Sequence, residues 1–127
     1  MTQPASPPPD HPSLRIRIVF GEDAMLGPGK AELLERIREY GSIAAAGRSM
    51  SMSYKRAWML VEEMNNAFRE PLVESTRGGT KGGGARLTTA GNAVLTHFRK
   101  LEEIMAEAGA ARIGVIRSML KDIPGGK

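Results

Sequence analysis

The sequence predicts a small, mainly α-helical domain with one β-hairpin, and three observations predict it. Residues 30–68 carry three successive segments with apolar residues at helical spacing, separated by short breaks. Residues 72–88 then switch to two β-like runs, "LVEST" and "ARLT", on either side of a glycine-rich decad, "RGGTKGGGAR" (77–86). From residue 90 to residue 120 an apolar seam returns at alternating steps of four and three.

Composition bounds the answer before the elements are taken up. The 127 residues suffice for one domain with a core, and apolar residues at 41% with charged residues at 25% fit a globular chain. There is no cysteine, hence no disulfide framework and no thiol nucleophile. His11 and His97 have no partner at ligand spacing, so no metal is expected. No apolar run is long enough to span a membrane, and "MTQPASPPPDHP" is no signal peptide; a cytoplasmic protein is the expectation. The net charge of +4 says less than its distribution. No acid occurs between Glu39 and Glu62, where Arg48, Lys55 and Arg56 sit, nor between Glu74 and Glu102, where Arg77, Lys81, Arg86, Arg99 and Lys100 sit. Two acid-free basic segments on one domain point to a polyanion.

The elements follow in order. Residues 1–13 are proline-rich and read as a disordered tail. "LRIRIVF" (14–20) alternates like a half-buried strand, and "GEDAMLGPGK" connects it onward. In "KAELLERIREYG" (30–41), Leu33, Leu34, Ile37 and Tyr40 share a helical face that stops at Gly41. Ser42 can cap a short alanine-rich helix over 43–50, and "SMS" (51–53) breaks the chain and leaves Ser53 to cap the next. Over 54–68, Tyr54, Ala57, Val61, Met64 and Phe68 face inward, while Lys55, Arg56, Met59, Glu62 and Glu63 face outward; Pro71 prevents continuation. Two helices joined by about three residues have the spacing of a helix-turn-helix.

The hairpin comes next, and then Thr88 or Thr89 caps a helix over about 90–120, roughly 45 Å at 1.5 Å per residue. Its seam is Val94, Phe98, Leu101, Met105 and Ala108, resuming after a slip at Gly109 as Ala111, Val115 and Met119. So long a seam is expected to pair with a second copy. Residues 122–127 read as a second tail, leaving 14–121 as the domain.

The decad does not fit a phosphate loop of the Walker type, because Lys81 follows Thr80 and precedes Gly82; nor does it hold G-x-G-x-x-G. A plain linker would not ordinarily interrupt a hairpin. As the tip of a β-finger laid against a phosphate backbone it has a mechanism: Gly79, Thr80 and Gly82 offer exposed backbone N–H groups, and Arg77, Lys81 and Arg86 supply charge. A helix-turn-helix followed by such a hairpin is a winged helix-turn-helix, with the decad as wing and the last helix for dimerisation.

Residues 14 to about 100, and above all "SYKRAW", "EMN" and "GGTKGGGA" ahead of "LTTAG", closely resemble the DNA-binding N-terminal domain of the molybdate-responsive transcriptional regulators, the ModE family, whose winged helix is related to that of the LysR-type regulators. The resemblance implies a homodimer held by the long terminal helices and the N-terminal strand. It implies that Ser53 to Met59, with Tyr54, Lys55 and Arg56 among them, face the groove, and that the wing meets the backbone. Full-length members continue into β-barrel modules that bind molybdate, and this chain stops at Lys127. DNA binding is therefore expected to carry over, and molybdate binding is not.

Lys55 and Arg56 at a helix start can pair with guanine or hold phosphate, and Arg48 can reach phosphate from the preceding helix. Tyr54 lies at the edge of the buried face, where core and DNA roles compete. Trp58 is expected to pack. The resulting expectation is a dimeric, sequence-specific transcriptional regulator acting as a repressor, with half-sites about 34 Å apart. It needs no cofactor and is not an enzyme, because no nucleophile–base pair, metal cluster or phosphate loop is present in the sequence. The alternatives are a sequence-indifferent nucleoid or RNA-binding module and a protein-interaction module built on the long helix.

Overall fold

A computed structural model describes residues 13–76 and 84–121. The elements run β1 (Ile18–Val19), β2 (Met25–Leu26), α1 (Pro28–Tyr40), α2 (Ile43–Ser49), α3 (Tyr54–Ala67), β3 (Val73–Thr76), β4 (Gly84–Leu87), α4 (Thr89–Ala108) and α5 (Ala110–Ser118). The architecture is the winged helix-turn-helix that the sequence predicts. The chain forms two units, Ile16–Arg99 and a second one that includes Lys100 onward.

Local signals explain the helix boundaries. Pro28 opens α1, where a missing N–H costs nothing, and Gly41 ends it at φ +70° while donating its N–H to the Ile37 carbonyl. Ser42 Oγ accepts the Ala45 N–H at 3.0 Å to start α2, and Ser53 Oγ accepts the Arg56 N–H at 3.1 Å to start α3. Between them, Gly47 O accepts N–H groups from Met50 and Met52 at 2.9 Å each, which closes the turn. A Cβ on Gly47 would stand 2.9 Å from the Ala57 Cβ, so only glycine lets α2 sit this close to α3.

The turn holds one strained residue. Ser51 has φ +61°, a left-handed conformation that side chains disfavour. Ser51→Gly should therefore raise the urea midpoint, by about 0.5–1 kcal/mol of stability after glycine's greater unfolded-state entropy is subtracted.

The core is drawn from every helix of the first unit. Leu33, Leu34, Ile37, Ala46, Ala57, Met64, Leu72 and Leu95 are buried, and no polar or charged residue is buried among the described residues. The hairpin pairs antiparallel with Val73 opposite Leu87 and Glu74 opposite Arg86. Ala85 N–H donates to Gly41 O at 3.0 Å, which anchors β4 on the corner between α1 and α2.

Several expectations are corrected. Part of the segment expected to be a connector is a strand: β2 pairs with β1, Val19 opposite Met25, because Phe20 N–H reaches Ala24 O at 2.8 Å and closes a hairpin. The strand expected over 14–20 is correspondingly short. Tyr40 and Tyr54 are exposed, their phenol rings lying outside the packed stripes of α1 and α3. The last helix is two helices: Gly109 has φ −96° and ψ 1°, outside helical values. Phe98, expected on the dimer seam, is only 2% exposed and packs in this chain's own core, and Val94 is half-buried against that core. The next residue along α4, Arg99, ties that helix to Glu35 of α1.

Residues 1–12 of the expected N-terminal tail and the tail expected over 122–127 lie outside the described residues, as do Arg77, Gly79, Thr80, Lys81 and Gly82.

Candidate nucleic-acid interface

The first turn of α3 carries no acid, and the Ser53 hydroxyl takes only the Arg56 N–H, so the N–H groups before it have no partner within the helix. Lys55 and Arg56 lie exposed in that turn, and Arg48 is exposed near the end of α2. Among the described residues, no carboxylate forms an ion pair with Arg48, Lys55 or Arg56. Lys55 and Arg56 keep their charge unneutralised at the α3 N-terminus, an end that attracts anions, and Arg48 adds an exposed cation near the end of α2.

Other basic residues are spent on the fold. Lys30 pairs with Glu63 at 3.2 Å, and Arg36 with Glu32 at 2.8 Å. Arg86, expected to supply charge to the wing, donates its Nε to Glu74 Oε2 at 2.8 Å across the hairpin. The register sets this pair: Thr76 opposite Gly84 brings Glu74 opposite Arg86. An open groove lined by Arg17, Glu22, Asp23, Met25, Lys30 and Glu63 mixes both signs of charge and does not make an anion site.

The apolar side chains on α3 depart from expectation. Met59 faces outward as expected, 47% exposed, but Trp58, expected to pack, is 44% exposed and Tyr54 is 57% exposed. The outer surface of the first two turns of α3 is therefore cationic and apolar together.

The asparagine of "EMN" makes a junction that helical periodicity does not reveal. Asn65 Oδ1 accepts the N–H groups of Leu72 and Val73 at 2.8 and 3.1 Å, and its Nδ2 donates to Val73 O at 3.0 Å. The side chain thus fastens the C-terminal part of α3 to the first strand of the hairpin. Thr88 completes the base of the hairpin, donating to Pro71 O at 2.7 Å and accepting the Gly91 N–H at 2.9 Å as the cap of α4.

Among the described residues no helix is long and apolar enough to cross a membrane. Of the expected seam, Met105, Val115 and Met119 are exposed apolar residues, Ala108 is exposed, and Leu101 is half-buried.

Comparison with known proteins agrees with this geometry. The chain is 45% identical over 83 residues to the molybdenum-pterin-binding protein MopA of Rhodobacter capsulatus, a match over 65% of this chain and 31% of that protein. It is 42% identical over 77 residues to the molybdenum transport protein ModE of Azotobacter vinelandii, covering 61% and 28%. It is 37% identical over 93 residues to the transcriptional regulator ModE of Haemophilus influenzae, covering 73% and 36%. The chain thus spans about a third of the length of these curated relatives. The family model for bacterial regulatory helix-turn-helix proteins of the lysR type matches residues 29–92, from the start of α1 into the first turn of α4. The chain belongs to the lysR family of bacterial regulatory helix-turn-helix proteins.

Proposed function

We propose that this chain is a sequence-specific, DNA-binding transcriptional regulator that sets α3 in the major groove and lays the β3–β4 hairpin along the neighbouring backbone. The observation that carries the reading is the capped, acid-free start of α3, with Lys55 and Arg56 exposed and unneutralised in a helix-turn-helix pair. Phosphate contacts from Arg48 and from the wing residues Arg77 and Lys81 supply affinity, and base edges met by α3 supply preference. Arg86 contributes at the backbone only while sharing its guanidinium with Glu74.

The chain acts as a homodimer, its α4 and α5 contributing Leu101, Met105, Ala108, Val115 and Met119 to the contact, and it represses by occupying a promoter in the cytoplasm. Catalysis has no part in this reading. The relatives' names speak of molybdenum, but they are matched over about a third of their length, and the reading carries over DNA binding alone. A second reading, a protein-interaction module, draws on the exposed Val115, Ile116, Met119 and Leu120 of the α5 region.

Fluorescence anisotropy with a duplex selected by the protein from a random pool, and with a scrambled duplex, tests the proposal. With about six to ten phosphate contacts, affinity should fall by about 10³–10⁵ between 50 and 200 mM salt. The selected duplex should be preferred by about 10³ or more, with two chains bound per duplex. Lys55→Ala should lower that preference by about tenfold or more, whereas Lys81→Ala should weaken both duplexes alike and flatten the salt slope. Equal affinity for both duplexes would point instead to a sequence-indifferent binder, and absence of binding to the interaction module.

A further inference from the structure

The inward face of α3 is set by Ala57, Val61 and Met64, all buried. At 3.6 residues per turn, Lys55 and Met59 stand one above the other on the opposite face, four residues apart. Single exposed apolar residues are ordinary on protein surfaces. Here three of them, Tyr54, Trp58 and Met59, fall within the first two turns of one helix, interleaved with Lys55 and Arg56.

The pattern does not suit a protein partner. A helix that docks into an apolar groove repeats apolar anchors at steps of three and four over several turns. The outward face of α3 reads Lys55, Met59, Glu62: a cation, one apolar side chain, then an acid. The major groove matches the first two. Phosphates and guanine edges suit the cation, and the C5-methyl of thymine is the one apolar group that base pairs present there. Methionine's unbranched thioether can adapt to a methyl at a fixed position better than a β-branched side chain can.

We infer that Met59 reads the 5-methyl group of a thymine in the major groove and is a specificity-determining residue of this chain. The inference rests on the DNA-binding reading above. Lys55 and Met59 are about 6 Å apart along the helix axis, close to two base-pair steps, so the thymine lies within about two base pairs of the Lys55 contact.

The test replaces each thymine of the selected duplex, one at a time, by deoxyuridine, which removes only the methyl group. Binding is measured for the wild-type chain, Met59→Ala and Met59→Leu. At one position per half-site, deoxyuridine should weaken the wild type about fourfold, the worth of one buried methyl group. The same replacement should leave Met59→Ala unaffected and should still weaken Met59→Leu. Met59 stands well out of the core, so each variant should keep the wild-type circular dichroism and melting temperature. Equal deoxyuridine effects in wild type and Met59→Ala at every position would overturn the inference while leaving DNA binding intact. If the wild type bound selected and scrambled duplexes equally, or bound neither, the functional reading and this inference would fall together.

Discussion

Gly91→Ala is expected to lower the unfolding temperature by about 10 °C or more, because among the described glycines its added methyl would meet the nearest backbone atom. A Cβ on Gly91 would stand 2.1 Å from the Leu72 carbonyl oxygen and 3.0 Å from its carbon. The obstacle is backbone, which cannot swing aside as a side chain can. It is also held in place: Leu72 O accepts the Thr88 N–H at 2.9 Å, and Leu72 N–H donates to Asn65 at 2.8 Å. Moving it would loosen the junction between the hairpin and α4, at a cost of about 3 kcal/mol or more. The gain in helix propensity, about 1 kcal/mol, does not offset this. Gly114, in α5, has nothing within 4 Å of such a Cβ, so Gly114→Ala should instead stabilise its helix. Thermal melts followed by circular dichroism compare the two, and an unchanged melting temperature for Gly91→Ala would refute the close approach.

Asn65→Ala should cost about 3 kcal/mol, because it strands two N–H groups and one carbonyl at the start of β3. Those groups belong to Leu72 and Val73, both buried, so water cannot readily replace the lost partners. Asn65→Asp keeps both acceptor contacts but sets a carboxylate oxygen against Val73 O in place of the donor, so its loss of stability should fall between wild type and alanine. Urea denaturation of the three proteins gives the order. A loss as large for aspartate as for alanine would show that the Nδ2 contact dominates.

Much of this fold was legible because its signals are local. Ser42, Ser53 and Gly41 mark helix ends through their own hydroxyl or backbone, and each does so in the structure. The two β-like runs around the decad pair as a hairpin because their apolar residues, Val73, Ala85 and Leu87, alternate onto the core. The site was legible in part for the same reason: Lys55 and Arg56 follow a capping serine and precede the buried stripe of α3, which puts them outside.

What periodicity could not say was which side of a stripe finds a neighbour. Tyr54 and Trp58 sit at the edge of the buried face of α3, and the packing partners that would cover them are absent among the described residues of α1 and α2. Phe98 lies on a seam that is covered by the chain's own core at its start and exposed from Met105 onward. The acid-free count around Arg86 missed Glu74 because the two are twelve residues apart in sequence and adjacent only across the hairpin.

Residues within a turn or two of one another thus set α1, α2 and α3, the serine caps of α2 and α3, the β3–β4 hairpin and the cationic start of α3. Tertiary structure alone decided that Asn65 ties α3 to β3, that Gly91 must lack a side chain, that Arg86 pairs with Glu74 and that Phe98 is core. Those outcomes depend on contacts between segments distant in the chain, whose approach is set by how the whole core packs.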